Sequence, residues 1–280
     1  MSAQFEDLRL ETRGAVTCIT IDRPARMNTL RMTITDRALA AALDAIAADR
    51  ATKVVVLTGA GDRAFCAGWD MEAIGEVPLD ELEAMVRANL ELFFKVWHLR
   101  TPVIAAINGY ALGAGSSLAL ACDLALATEH ARLGEPEVRH GALSPFLMLP
   151  FMTHNRAVHE LSYFGDMLDA HELHRLGLVN RVLPAAGFDE AVWAYAERLS
   201  RVPAMSLEMT KRSLRAAYDA MGATQAIRQH ALADTIVIGA NFPEQKRLLD
   251  ILAKEGMRAF LEARDGPFRS TASAGPQQAR

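Results

Sequence analysis

Strand patterns alternate with helical patterns through the first half of this chain, and that alternation constrains its fold more than any other feature. Two β segments, 5–12 and 15–21, precede a segment at 33–50 in which apolar residues recur at helical spacing. Further segments continue the alternation, with strand patterns at 53–58, 102–107 and 123–127 and helical patterns at 79–99 and 114–122. Strands separated by helices favour right-handed crossovers and a largely parallel sheet, so we predict an α/β core.

The second half is different, because almost every segment after a strand pattern at 178–183 is helical. Four helices are predicted, at 187–201, 204–221, 224–238 and 243–264. We therefore divide the chain into an α/β core over residues 1–200 and a helical C-terminal region over residues 201–269. Residues 270–280 are small and polar, and we expect them to form a disordered tail.

Composition limits the class of protein further. The chain has 280 residues, of which 51% are hydrophobic and 23% charged, as is typical of soluble globular proteins. Its net charge of −4 argues against a bulk electrostatic grip on nucleic acid. The three cysteines, Cys18, Cys66 and Cys122, are too widely spaced for a disulfide framework or a CxxC metal site.

Targeting signals are not visible in the sequence. Residues 1–10 lack the apolar run of a secretory signal, and the longest apolar stretch, 118–127, is too short to span a bilayer. We predict a reduced, cytoplasmic, soluble protein that binds neither membranes nor nucleic acid.

Glycine-containing loops follow two of the buried strands. They cover residues 64–70 (AFCAGWD) and 108–117 (NGYALGAGSS), and a third notable stretch is 133–137 (LGEPE). Ligands of parallel α/β sheets bind beyond the carboxyl ends of strands, and a helix N-terminus favours negative charge. Two such loops facing one pocket would make an oxyanion hole, although glycine loops also serve simply as turns. The 108–117 loop fits neither a dinucleotide fingerprint nor a P-loop, and neither serine lies in a GxSxG motif.

Five motifs together resemble one known family. IDRPARMNTL, AFCAGWDM, PVIAAINGYALGAGSSLALACDLALA, LGEPEV and RLGLVNRV resemble, in order and spacing, the motifs of the enoyl-CoA hydratase/isomerase (crotonase) family. The resemblance extends from about residue 8 to residue 268. It implies a spiral core of ββα units, a helical C-terminal region that forms trimers, and an acyl-CoA thioester substrate.

The resemblance also implies an enolate mechanism. Family members hold the thioester carbonyl with two backbone N–H groups, which correspond here to Trp69 and Ala114. The side chain of Trp69 is larger than the residue usual at that position, so we expect it to narrow or reshape the acyl pocket. Hydratases of the family carry two glutamates, and the matching positions here hold Ser117 and Glu137. We therefore predict Glu137 as the single general acid/base, in an isomerase or a weak hydratase.

Other residues near these motifs and in the C-terminal region are not predicted to be catalytic. Pro145 occupies the position where some isomerases and dehalogenases of the family place an aspartate, which argues against both of those readings. Glu135 could face the same side as Glu137 if the segment is extended, but a solvated or structural role is favoured. Asp70 is expected to tie down the loop after Trp69. Met205 and Met209 lie at helical spacing and are expected in the core.

Coenzyme A recognition is implied at three positions. Arg26 corresponds to the segment that passes the CoA phosphates and adenine, and Ala64 and Ala67 correspond to backbone positions near the adenine ring. Arg264 and Phe268 resemble a segment that reaches CoA from a neighbouring subunit, although a surface role for Arg264 is favoured. The resemblance implies no metal and no redox cofactor, and a homotrimer or a dimer of trimers.

Three alternatives stay open at this point. The loss of an acid at Ser117 is compatible with an acyl-CoA-binding protein that has no turnover. Another reaction of the family, on an aromatic or branched acyl-CoA, fits the same motifs. RNA binding, which some relatives combine with catalysis, is disfavoured by the acidic charge balance.

Overall fold

The computed structural model describes residues 5–72 and 78–269. The strands are β1 (Leu8–Arg13), β2 (Val16–Ile21), β3 (Val54–Gly59), β4 (Ala64–Cys66), β5 (Val103–Ile107), β6 (Tyr110–Leu112), β7 (Leu124–Thr128), β8 (Arg132–Gly134), β9 (Met167–Asp169) and β10 (Arg181–Leu183). The helices are α1 (Thr35–Ala48), α2 (Leu79–His98), α3 (Ala114–Ala121), α4 (Leu149–Met152), α5 (Asn155–Phe164), α6 (Ala170–Arg175), α7 (Phe188–Ser200), α8 (Ala204–Ala220), α9 (Ala223–Gly239), α10 (Pro243–Glu255) and α11 (Met257–Arg269). The α/β prediction is confirmed.

The larger sheet contains the strands that the sequence predicts. Its order is β1-β2-β3-β5-β7-β10, and all neighbouring pairs are parallel except the β1–β2 hairpin. Strands β3 and β5 are buried on both faces, which explains why VVVLTG and VIAAI are continuous apolar runs without alternation. The strand predicted at 178–183 is confined to β10.

A second sheet, of order β4-β6-β8-β9, is not predicted by the sequence. Strands β4, β6 and β8 follow β3, β5 and β7 in the chain, so each strand of the larger sheet leads into a short strand of the smaller one. Each of these strands is three residues long, too short to show alternation. The smaller sheet aligns the two glycine-containing loops side by side, because β4 and β6 pair in parallel.

The core lies on both faces of the larger sheet. One cluster joins the sheet to α1, α2 and α3, and includes the fully buried Phe93 and Leu118. The other joins the opposite face to α7 through Phe188 and Trp193. Both sheet faces are therefore covered, as is usual for parallel sheets.

The helical C-terminal region is attached to the core by charged contacts. Lys211 and Arg215 of α8 bind the carboxylate of Asp123, which directly precedes β7, at 2.7 and 2.6 Å. The helix predicted at 243–264 is wrong as a single element, because Gly256, with a φ of 82°, separates α10 from α11.

The core prediction for Met205 and Met209 is wrong, since these side chains are 69% and 46% exposed. The predicted tail, 270–280, lies outside the described residues. Among the residues that the structure describes, none of the helices is long and apolar enough to cross a membrane.

Candidate functional site

The loop after β4 presents an unused backbone donor at Trp69. The N–H of Leu30 donates to the carbonyl of Gly68 at 2.8 Å, and the N–H of Asp70 donates to the carbonyl of Leu30 at 2.8 Å. This short parallel bridge engages the groups on either side of Trp69, so the N–H of Trp69 itself faces away from Leu30. No residue of the described ranges accepts a hydrogen bond from it.

The second donor is the N–H of Ala114, the first residue of α3. Gly113 turns the chain into this helix with a φ of 56°, and the first N–H groups of a helix have no partner within it. Gly115 allows the helix to pack directly on β4, because a methyl group there would lie 1.9 Å from the carbonyl oxygen of Cys66. The two loops are adjacent, since a methyl group on Gly68 would lie 3.5 Å from the nitrogen of Ala114.

Glu137 brings a carboxyl group to the same place. It lies on a 3-10 turn, Pro136–His140, and a methyl group on Gly113 would lie 2.3 Å from its Oε1 atom. Its Oε2 atom is buried and has no hydrogen-bond partner within the described ranges. Burial, followed by the nearby charge of Glu135, raises the pKa of Glu137 well above its ordinary value. The predicted residues Trp69, Ala114 and Glu137 are therefore neighbours in the fold.

Two further acids near Glu137 are buried, although the sequence analysis does not predict them as site residues. Glu135, expected as a solvated or structural acid, is only 7% exposed, so the solvated alternative is wrong. Burial raises its pKa to about 7, and the hydroxyls of Ser144 and Ser116 partly offset this rise. Asp234 of α9 is also buried, and its carboxylate accepts a hydrogen bond from the Leu143 N–H at 2.7 Å.

The burial of Asp234 raises its pKa to about 6, although the hydrogen bond from Leu143 lowers it. A single acid within the otherwise apolar stretch 231–239 (ALADTIVIG) is a signal that could have pointed to it. The burial of Glu135 has no such local signal, because it depends on how the Pro136–His140 turn meets α3.

The position that the family's first glutamate would occupy holds a buried hydroxyl. Ser117 is 0% exposed, and its Oγ atom has no hydrogen-bond partner among residues 5–72 and 78–269. Ser116 is equally buried, and its hydroxyl lies close enough to Glu135 to lower the pKa of that carboxyl group, without forming a hydrogen bond of good geometry. Two buried hydroxyl groups therefore lie on the first turn and a half of α3.

The side chain of Trp69 forms part of the apolar wall beside these groups. Its ring meets Phe93 of α2 edge-on, with centroids 6.3 Å apart and planes at 65°. Phe146 continues the cluster at 5.7 Å from Phe93. These aromatic side chains give that side of the core a large apolar surface.

The residues predicted to bind coenzyme A lie at the edge of this region. Arg26 is 49% exposed and pairs with Asp70 at 3.3 Å and with Glu72. The carbonyl of Ala64 accepts a hydrogen bond from the Asn28 amide at 2.6 Å. The N–H of Ala67 donates to the carbonyl of Met27 at 3.1 Å. Binding of CoA at these positions stays a prediction.

Asp70 ties the loop after Trp69 to the N-terminal segment. It pairs with Arg23 at 2.9 Å as well as with Arg26. Burial raises the pKa of Asp70, but the hydrogen bonds from Arg23 and Arg26 outweigh this effect and hold it below its ordinary value. Asp70 therefore stays ionised and positions the loop.

Helix α11 packs against the Pro136–His140 turn of its own chain. Arg139 pairs with Asp265 at 3.3 Å and lies 4.1 Å from the centre of the Phe268 ring. Arg264 pairs with Asp265 at 2.8 Å. These contacts bind Arg264 and Phe268 within the subunit, and a reach into a neighbouring subunit stays a prediction.

Comparison with known proteins agrees with this architecture. The model of the enoyl-CoA hydratase/isomerase family matches residues 11–271. The chain is 36% identical over 276 residues to a protein of Rhizobium meliloti named "Probable enoyl-CoA hydratase", covering 95% of this chain and 98% of the relative. It is 30% identical to (E)-benzylidenesuccinyl-CoA hydratase of Thauera aromatica, covering 93% and 98%.

A solved structure shows the same fold. The crystal structure of an enoyl-CoA hydratase/isomerase from Xanthobacter autotrophicus Py2 superimposes with a TM-score of 0.90 at 32% identity, covering 95% of this chain and 99% of that one. The motifs, the paired sheets and these matches lead to one conclusion: the chain belongs to the enoyl-CoA hydratase/isomerase family.

Proposed function

We propose that this chain transforms an enoyl-CoA thioester through proton transfer at C2, with Glu137 as the acid/base. The observation that carries the proposal is the convergence of three groups. Two backbone N–H groups without partners in the described chain, at Trp69 and Ala114, adjoin the buried carboxyl group of Glu137. Donors that converge beside a perturbed carboxyl group are suited to the formation of an enolate.

The two N–H groups would donate hydrogen bonds to the carbonyl oxygen of the thioester. As Glu137 removes the C2 proton, the C–H electron pair moves towards the carbonyl, whose oxygen becomes negatively charged. Hydrogen bonds from Trp69 and Ala114, together with the positive end of α3, stabilise that charge. Return of the proton to C4 moves a double bond from C3–C4 to C2–C3, which is isomerisation. This chemistry requires no metal and no redox cofactor.

Hydration is the other reaction open to the same site. Relatives named as hydratases support it, whereas the replacement of the first family glutamate by Ser117 favours isomerisation or weak hydration. Both reactions share proton transfer at C2. An acyl-CoA-binding protein without turnover is the second candidate, and the missing acid at Ser117 is the observation that favours it.

The proposal is tested by hydrogen exchange at C2. We expect the protein to exchange the C2 hydrogens of butyryl-CoA with D2O, measured by mass spectrometry. Replacement of Glu137 by Gln should slow this exchange by about 100- to 10,000-fold, the usual contribution of a positioned acid/base. The same variant should slow isomerisation of 3-enoyl-CoA by a similar factor.

A matched control is Glu160→Gln, because Glu160 lies on α5 and is exposed. It should exchange as fast as the natural protein. Exchange that is equally fast in Glu137→Gln would contradict the role of Glu137. Tight binding of acyl-CoA thioesters without exchange or turnover, across saturated, unsaturated, branched and aromatic acyl groups, would favour the binding protein instead.

Coenzyme A binding and assembly complete the proposal. We expect Arg26 and the backbone near Ala64 and Ala67 to hold the nucleotide end of CoA. The exposed apolar side chains of α8 and α9 favour association of the subunits as a homotrimer or a dimer of trimers. Examples with exposures of 69% and 72% are Met205 and Ile236. A measured mass of one subunit at micromolar concentration would contradict this assembly.

A further inference from the structure

Four buried polar atoms surround the first turn and a half of α3 without hydrogen-bond partners in the part of the chain described. They are the hydroxyl oxygens of Ser116 and Ser117 and one carboxyl oxygen each of Glu135 and Glu137. Buried polar atoms in proteins are almost always paired, so a cluster of unpaired ones calls for a functional explanation. These atoms offer both donors and acceptors, the combination that a water molecule or a substrate hydroxyl can satisfy.

The local chain geometry explains how two carboxyl groups reach one helix end. Strand β8 ends at Gly134, and the 3-10 turn begins at Pro136, so Glu135 lies between them with an extended φ of −122°. Glu137 meets α3 at Gly113. The carboxyl group of Glu135 lies close enough to Ser116 for that hydroxyl to lower its pKa, and Ser116 is three residues beyond Gly113, on the same side of the helix.

The charged groups around Glu135 and Glu137 do not neutralise this pair of carboxyl groups. Glu137 is influenced by Glu135, by Asp234 of α9 and by Arg264 of α11. The guanidinium group of Arg264 is bound to Asp265 through two hydrogen bonds, at 2.9 and 2.8 Å. Neighbouring buried carboxyl groups do not both ionise readily, so one proton is retained between them. The pair therefore contains one acid and one base.

We propose that Glu135 is a second catalytic carboxyl group, which with Glu137 activates water for addition to a 2-enoyl-CoA thioester. This inference rests on the proposed function and deepens it. Glu135, which directly precedes the Pro136–His140 turn, would supply the acid that the family places at the position of Ser117. The hydroxyls of Ser116 and Ser117 would orient the water.

The proposed step is balanced in atoms and electrons. The carboxylate of Glu135 takes a proton from water while the water oxygen bonds to C3. The electron pair of the C2–C3 double bond moves through C2 onto the thioester oxygen, which the N–H groups of Trp69 and Ala114 hold. The carboxylic acid of Glu137 then gives its proton to C2, and the product is a 3-hydroxyacyl-CoA. Transfer of the proton from Glu135 to Glu137 restores the starting state.

The test compares hydration with exchange in one variant, Glu135→Gln. Hydration of crotonyl-CoA, followed by loss of absorbance of the conjugated thioester, should fall by about 100-fold or more. Exchange of the C2 hydrogens of butyryl-CoA should fall far less, because Glu137 and the two N–H groups remain, and its pH profile should move to lower pH, because the nearby charge that raises the pKa of Glu137 is removed. Preserved exchange also proves that the variant folds. The exposed Glu160→Gln variant should retain both activities.

A structural role for Glu135 would change both activities together and would overturn the proposal, as would hydration at the natural rate in Glu135→Gln. Failure of the proposed function looks different, because the natural protein would then show no exchange at all. In the natural protein, hydration should increase with pH through about 7 as Glu135 ionises. In Glu135→Gln this dependence should disappear from the residual rate.

Discussion

Two groups of charged side chains lie at opposite ends of the same helix, α3. They differ in how completely their carboxyl oxygens are paired with hydrogen-bond donors. Asp123, just after the C-terminal end, accepts hydrogen bonds from the Val103 N–H at 2.8 Å, from Lys211 at 2.7 Å and from Arg215 at 2.6 Å. Glu135 and Glu137, at the N-terminal end, each keep a buried carboxyl oxygen for which the described chain offers no partner.

The difference separates charges that hold the fold from charges that are available for a ligand. Around Asp123, both carboxylate oxygens are bound, and the guanidinium of Arg215 also lies 3.1 Å from the centre of the Trp97 ring. Such a complete set fixes α8 onto the core. The carboxyl groups of Glu135 and Glu137 instead have raised pKa values, because burial penalises their charged form more than the neighbouring hydroxyl groups and Arg264 offset it. Their removal should therefore affect chemistry more than stability.

The largest expected effect comes from breaking the complete set. Replacement of Asp123 by Asn leaves Lys211 and Arg215 buried without a counter-charge, so the free energy of unfolding should fall by about 3–5 kcal/mol. Urea denaturation measures this change. The matched control is Asp250→Asn, since Asp250 forms only an exposed pair with Lys254 at 3.7 Å and should cost less than about 0.5 kcal/mol. A loss as small as the control's would show that the Asp123 cluster contributes no net stability.

The next largest effect is expected at the N-terminal end of α3, where Gly113 contacts the carboxyl group of Glu137. A methyl group on Gly113 would meet Glu137 Oε1 at 2.3 Å, and the residue has a φ of 56°. Gly113→Ala should therefore displace the carboxyl group and slow C2 exchange at least tenfold, at a cost in unfolding free energy of about 1–3 kcal/mol.

Gly177→Ala is the matched control for that substitution. Gly177 has a φ of 76°, but a methyl group there would meet nothing within 4 Å. It should carry a comparable backbone cost and keep full exchange activity. If both variants lose activity equally, backbone strain rather than displacement of Glu137 explains the loss.

The smallest effect concerns the dependence of stability on pH. The pKa of Glu135 is about 7 in the folded protein against 4.5 for the free side chain, so between these values the folded state binds more protons than the unfolded state. The free energy of unfolding should therefore fall as pH rises across this window. Glu135→Gln removes this penalty, and its thermal unfolding midpoint at pH 8 should exceed that of the natural protein. At pH 5 the two should nearly coincide. Destabilisation by Gln at pH 8 would reveal a structural partner for the carboxylate.

Much of the fold could be predicted because its large sheet is encoded by local apolar runs. Strands β3 and β5 and the glycine loops after β4 and β6 are all visible in the sequence, because burial on both faces requires continuous apolar residues. The smaller sheet could not be predicted, since a strand of three residues shows no periodicity. The division between α10 and α11 depends on one glycine, Gly256, within an otherwise helical pattern.

The candidate site divides in the same way. The resemblance to the family's motifs predicts Trp69, Ala114 and Glu137 as site residues, and the structure brings the three together. The burial of Glu135 and Asp234 depends on residues distant in sequence, since Glu135 lies near Ser116 of α3 and Asp234 of α9 accepts a hydrogen bond from the Leu143 N–H. A sequence pattern predicts which face of one element is buried, but not which elements distant in sequence pack against each other.

The contact between α11 and the Pro136–His140 turn has a consequence for the timing of protein synthesis. The turn is translated near the middle of the chain, whereas the helix whose Asp265 binds Arg139 is translated close to its end. Until that helix emerges from the ribosome and docks, Arg139 lacks the ion pair with Asp265 that holds the turn against α11. The turn that carries Glu137 is therefore completed only after more than a hundred further residues have been added to the chain.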